Sequence, residues 1–161
     1  MTTTRDGDAR WMRLAIEKAR EGVAAGQTPF GACIVRGATP VALAHNVVLA
    51  TTDITAHAEV TAIRAACRAA GTIDLAGCVI YSTCEPCPMC FSACHWANLD
   101  RIVYGASIAD AAACGFRELS ISNTEMKHRG GGRVELVEGF LREEAVELLR
   151  EWARLPQRRT Y

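Results

Sequence analysis

Apolar residues recur at helical spacing along the first quarter of the chain. Trp11, Leu14, Ala15, Lys18, Ala19 and Gly22 share a face between Arg10 and Ala25, and Gly26 closes the run as a helix stop. The pattern then changes period. Gly31–Val35 and Val41–Asn46 are short apolar runs around Gly37 and Pro40, which predicts a hairpin. Thr55 precedes a second helical stretch, Ala56–Ala70, with Gly71 placed as a C-cap. Cys78–Ser82 is a buried strand, and Pro88 opens a helix that runs to about Asn98. Arg101–Gly105 is another strand, Asp110–Cys114 a short helix or turn, and Gly130–Gly132 a loop. Val134–Val137 alternates as a strand does, and Leu141–Leu155 returns to helical spacing through Leu141, Ala145, Leu148, Leu149 and Trp152. The order α-β-β-α-β-α-β-α-β-α predicts an α/β fold with a mixed sheet covered by helices on both faces.

Composition narrows the function without deciding it. A length of 161 residues suits one domain, and no internal repeat divides it. Eighteen basic residues balance eighteen acidic ones, so the basic excess expected of a nucleic-acid binder is missing and such a partner is disfavoured. The N-terminal stretch Met1–Asp8 is polar, without a secretory h-region, and no apolar run reaches membrane-spanning length. A cytoplasmic protein is therefore expected. There, eight cysteines point to metal ligation or core packing and not to disulfides. Cys33, Cys67 and Cys78 have apolar neighbours and read as small core residues.

Chemistry concentrates in His57-Ala58-Glu59 and Pro86-Cys87-Pro88-Met89-Cys90, each at the start of a predicted helix. Unpaired N–H groups and the helix dipole favour thiolate at Cys87 and Cys90, and the offset of three puts both sulfurs on one face. If the two helix starts face each other, His57, Cys87 and Cys90 make a mixed N/S set that zinc accepts. Three protein ligands leave one position open to water, which distinguishes a catalytic zinc from a structural one. Glu59 lies close to the metal without being needed as a ligand, so it is the candidate proton carrier. Taken alone, a C-x-x-C is as well explained by a zinc knuckle or redox pair, and a lone His by a helix cap. A four-ligand structural site, serving a binding module without turnover, would recruit Cys84 or Cys94. Both motifs together, H-x-E and P-C-x-x-C, carry the catalytic reading and match the signature of zinc deaminases.

On these residues the chain resembles the cytidine-deaminase-like superfamily, from about Trp11 to the C-terminus. That resemblance implies a three-layer α-β-α sandwich around a mixed five-stranded sheet, with one catalytic Zn2+ per subunit. Pro29-Phe30-Gly31-Ala32, Thr55–Arg64, Cys84–Cys90 and Asp110-Ala111-Ala112-Ala113-Cys114-Gly115-Phe116 are similar to stretches of bacterial and plant guanine or guanosine deaminases. The implied activity is hydrolytic deamination of a small aminated heterocycle, guanine to xanthine foremost. Guanosine, cytosine, triazines or the adenosine of a tRNA anticodon loop are alternatives, the last encouraged by Arg154, Arg158 and Arg159. The resemblance also implies a homodimer in which a C-terminal segment, about 117–161, is exchanged; it further implies that Asp110 and Tyr161 enter the other subunit's site and that Trp96 lies near the shared pocket.

Each substrate-facing residue has a plainer alternative. Asn46 offers donor and acceptor to a purine edge, or is a turn residue. Phe30 stacks on a base or fills the core. Asp110 assists proton transfer to the departing amine or caps a turn. Tyr161 closes the pocket or frays. The backbone N–H of Ala58 or Cys87 could orient the base. Two places depart from the family pattern: Arg117-Glu118 after Phe116, where acidic residues are expected, and Cys94-His95 before Trp96, where an aliphatic and an aromatic are expected.

Overall fold

The computed structural model describes residues 5–161. The polar stretch Met1–Thr4, part of the reasoning on location, lies outside them. The chain runs through α1 (Arg5–Ala24), β1 (Gly31–Arg36), β2 (Thr39–His45), α2 (Val48–Thr51), α3 (Ala58–Ala70), β3 (Cys78–Cys84) and α4 (Pro88–Trp96). It continues through β4 (Arg101–Ala106), α5 (Ile108–Ala113), α6 (Asn123–Gly130), β5 (Glu135–Val137) and α7 (Arg142–Ala153).

The five strands form one sheet in the order β2-β1-β3-β4-β5. β1 is antiparallel to both β2 and β3, while β3, β4 and β5 run parallel. This is the expected mixed sheet. Pro40 is tolerated because β2 is an edge strand, where a missing N–H costs no ladder bond. Parallel pairs need crossovers, and α4 supplies the one between β3 and β4.

Side chains alternate across the strands into two cores. Ala32, Ile34, Ile80, Ile102 and Tyr104 pack against Ala58, Ala62 and Ala66 of α3 and Phe91 and Cys94 of α4. Cys33, Val35, Tyr81 and Val103 face the other way, onto Trp11, Met12, Ile16 and Ala19 of α1 and Leu148 of α7. The result is the three-layer sandwich. Gly31 is required where α1 crosses β1, because a Cβ there would lie 2.1 Å from the Ala15 carbonyl oxygen. Asp8, 3% exposed, anchors α1 to the sheet by accepting from the Tyr81 hydroxyl at 2.6 Å and pairing with Arg101 at 2.9 Å.

Two helices were not expected. α2 is a single turn, and α6 is capped by Ser122, whose side chain accepts from the Glu125 N–H. Its end at Gly130, with Gly131 left-handed at φ 67°, places part of the expected glycine loop inside a helix terminus. Among the described residues no helix is long and apolar enough to cross a membrane.

Candidate metal centre and active site

The register of the sheet brings the functional residues together. Because β1 is antiparallel to β3, the start of β1 is level with the end of β3: Ala32 pairs with Ser82, and the Gly31 N–H donates to Thr83 Oγ1 at 3.1 Å. Gly31 also pairs with His45 at the end of β2, and the Asn46 N–H donates to the Phe30 carbonyl at 3.0 Å. Phe30, Asn46 and the β3 carboxyl end thus meet at one edge of the sheet. This is where open α/β sheets place their ligands.

Two helix starts close that edge. His57 is the N-cap of α3, so the helix begins two residues later than the sequence suggested. The cause is local: Asp53 Oδ1 accepts both the N–H and the hydroxyl of Thr55, at 2.9 and 2.6 Å, and holds 53–55 as a turn. Cys87 is the N-cap of α4, with Pro88 in the first turn. Their meeting puts His57 Nδ1 3.7 Å from Cys87 Sγ and 3.5 Å from Cys90 Sγ, with all three donor atoms within 4.8 Å of one another. Tetrahedral zinc at the usual bond lengths sets N···S separations of about 3.5 Å, so the donor set fits that ion.

Electrostatics agree. Hydrogen bonding from Cys90, then from His57, brings the Cys87 thiol down to about 4, while the Cys87 sulfur and burial push Cys90 well up. Two adjacent sulfurs cannot both hold negative charge unaided, whereas a coordinated divalent cation deprotonates both. Cys84 and Cys94, the two possible fourth ligands, are not in the cluster; burial first of all keeps both thiols protonated.

Glu59 is 6% exposed, and burial raises its pKa above the ordinary carboxylate value. Its Oε1 lies 2.8 Å from Ser82 Oγ, which also lies 2.7 Å from the Cys84 carbonyl. One hydroxyl proton cannot serve both acceptors. When Glu59 is protonated it donates to Ser82, Ser82 donates to Cys84, and the chain is complete; when it is ionised, the carboxylate competes for the Ser82 proton. Ser82 was not singled out in the sequence, since a serine inside an apolar strand carries no signal until its neighbour across space is known.

Phe30, Asn46, His57, Glu59, Cys87 and Tyr161 line one inner cavity. Asn46 is fully buried, and its Oδ1 is committed to the Val48 N–H at 3.0 Å, so only its Nδ2 donor faces inward. That corrects the expectation of a donor and acceptor both free for a ligand. Nδ2 donates to the Tyr161 hydroxyl at 2.6 Å. Tyr161, whose ring lies 5.6 Å from His57 and 5.7 Å from Phe116, leaves a cavity of about 20 Å³. That is room for a water, not for a base. A larger space of about 230 Å³ adjoins it, lined by Ile54, Met89, Leu119 and others.

Other expected residues lie elsewhere. Asp110 is not in this cavity. It accepts from the Ser107 N–H at 2.8 Å, completes a capping box on α5, and pairs with Arg142 at 2.6 Å. Within one chain Asp110 thus fills the capping role. Trp96 ends α4 and is 81% exposed, away from the cavity. Ala58 is buried at the start of α3 beside the ligand His57. Glu118, noted only as a departure, lines both spaces, and burial with the nearby Cys87 sulfur pushes its carboxyl up to about 7.

Comparison with known proteins follows the same lines. The model of the cytidine and deoxycytidylate deaminase zinc-binding region matches residues 5–106. The chain is 47% identical over 107 residues to the guanine deaminase of Bacillus subtilis, spanning 66% of this chain and 69% of that one. It is 34% identical over 142 residues to a tRNA-specific adenosine deaminase of the same organism, spanning 88% and 86%. The solved guanine deaminase of Nitrosomonas europaea superposes with a TM-score of 0.84 at 29% identity, covering 90% of this chain and 84% of that one. Matched in sequence, fold and donor set, the chain belongs to the cytidine and deoxycytidylate deaminase family of zinc-dependent hydrolytic deaminases.

Proposed function

We propose that the protein deaminates a free purine base, converting guanine and water to xanthine and ammonia. The observation that carries the proposal is the single cavity in which an aromatic face (Phe30), one inward donor (Asn46 Nδ2) and the Glu59 carboxyl surround the His57–Cys87–Cys90 donor set. A flat heterocycle bearing a carbonyl or ring nitrogen opposite its amine suits these groups. The 47% identity to a protein named guanine deaminase supports the same substrate.

His57, Cys87 and Cys90 would hold one zinc per subunit. When bound, the ion supplies a Lewis acid that brings the pKa of water toward neutrality. Glu59 takes the two protons of the attacking water in turn, passing the first to a ring nitrogen and the second, from the hydroxyl now on C2, to the departing amine. A C–O bond forms at C2, the C2–N bond breaks, and ammonia departs. Ser82 holds the proton-carrying oxygen of Glu59 in place. The Asn46 donor pins the acceptor edge, and the Phe30 ring lies along the cavity wall. Tyr161 must release Asn46 for the base to enter, since the base and the phenol claim the same donor.

The expected homodimer belongs to the same proposal. Within one chain Tyr161 already reaches the cavity, so exchange of the segment 117–161 would swap equivalent contacts and not supply a missing group.

Zinc-loaded protein should convert guanine to xanthine with one ammonia per base and leave adenosine in a tRNA anticodon stem-loop unchanged. Inosine formation in the stem-loop, with guanine untouched, would overturn the proposal.

A further inference from the structure

The turn Cys84–Cys87, which delivers the first sulfur ligand, is tied down by groups that are not ligands. Glu85 is 8% exposed, and both its oxygens are engaged by the protein. Oε1 accepts the Asn123 N–H at 2.9 Å and the Tyr104 hydroxyl at 3.4 Å; Oε2 accepts the Ile108 N–H at 3.1 Å. Ile108 and Asn123 are the first residues of α5 and α6, so one carboxylate binds two helix starts, where unpaired N–H groups favour an anion. The Glu85 N–H is fixed as well, on the Ala106 carbonyl at 2.7 Å.

Asn123 returns the contact from the other side. It is fully buried, and its Nδ2 donates to the Pro86 carbonyl at 2.6 Å, next to the Cys87 peptide. Its Oδ1 is buried with no hydrogen-bond partner. An amide held with one end unsatisfied accepts a local cost. Flipping it would set oxygen against oxygen at Pro86, so the cost is borne to grip that carbonyl. Both residues therefore act on the peptide that leads into Cys87, from a shell outside the donor set.

We propose that Glu85 and Asn123 are positioning residues for the metal centre. They fix Cys87 relative to His57, so that docking of α5 and α6 sets how well the three ligands hold zinc. The inference rests on the zinc reading and is independent of which base is the substrate.

The test reads metal binding and not turnover. Zinc affinity is measured by chelator competition, and ligand geometry by the visible absorption of the cobalt(II)-substituted protein. Glu85→Gln keeps the volume but sets an NH2 against one of two backbone N–H groups; Asn123→Ala removes the grip on Pro86. Each should weaken zinc about tenfold, the lower end for outer-shell partners, and shift the cobalt spectrum. The double variant should lose less than the two losses multiplied, since both act through one turn. Asp8→Asn, which weakens the anchor of α1 on the opposite face of the sheet, should lower the melting temperature and leave zinc affinity unchanged. Wild-type affinity and spectrum in both Glu85→Gln and Asn123→Ala would overturn the proposal. So would zinc loss that merely follows stability, with Asp8→Asn losing as much. If Glu85→Gln does not fold, Asn123→Ala decides by the same two readouts.

Discussion

Asn46 is asked to do two things at once, and two substitutions separate them. Its Oδ1 satisfies the buried Val48 N–H, and its Nδ2 is the donor offered to the cavity. Asn46→Ala removes both. An orphaned buried N–H costs about 1–3 kcal/mol, so the variant should unfold at lower temperature as well as lose activity. Asn46→Asp keeps the shape and the acceptor for Val48 but replaces the inward donor by a carboxylate oxygen. A base carbonyl or ring nitrogen then meets lone pairs where it met an N–H. Losing the hydrogen bond and facing an unpaired acceptor together cost about 3 kcal/mol, which is about 100-fold in kcat/KM. Burial beside Glu59 disfavours ionisation of the new carboxyl, and its protonated form can still donate. The defect should therefore deepen as pH rises. Steady-state guanine deamination across a pH series, beside thermal unfolding of the zinc-loaded variants, measures both effects. An Asn46→Asp variant that keeps kcat/KM within about twofold of wild type in alkaline buffer, or that is destabilised as much as Asn46→Ala, would refute this division of roles.

Ser82→Ala removes the hydroxyl that steadies Glu59, so kcat should drop about tenfold while zinc content, read by metal analysis, stays at wild-type level. Asp110→Asn probes the α5 cap. Burial works to raise the Asp110 pKa, but the Ser107 N–H, the Ser107 hydroxyl and Arg142 outweigh it and hold the carboxyl below the ordinary aspartate value. A depressed folded pKa means that ionised Asp110 stabilises the fold at pH values above about 4 and loses that effect as pH falls through the folded value. Wild type should accordingly exceed Asp110→Asn in stability by about 1 kcal/mol at neutral pH, typical of a lost cap, with the gap closing in acid denaturation series. Cys94→Ala should retain full zinc occupancy, because that thiol lies outside the donor set; loss of zinc there would revive a four-ligand structural site.

The metal site could be read from sequence because each half of it is local. His57 and Glu59 are two residues apart, Cys87 and Cys90 three, and both pairs sit at helix starts that proline or turn residues announce. The layering was legible for a similar reason, since apolar periodicity reports which side of an element is covered. What stayed hidden depends on residues that meet only across the fold. Glu85 carries no signal of its own inside the cysteine motif, because its three donors come from β4, α5 and α6. Asn46 could not reveal which end of its amide faced inward before Val48 claimed the oxygen. The capping partner of Asp110 was legible, since Ser107 stands three residues earlier. α6 went unseen although Ser122 and Glu125 stand at capping spacing, because Gly130–Gly132 drew the reading toward a loop.

In the proposed reaction three residues hold the metal while Glu59 alone carries the protons. The most direct test is ammonia release by Glu59→Ala, with zinc content measured on the same sample. Glu59→Ala should carry one zinc per chain and turn over at least about 100-fold more slowly than wild type, the usual weight of a lost general acid–base group. A zinc-loaded Glu59→Ala protein that still releases ammonia near the wild-type rate would contradict it.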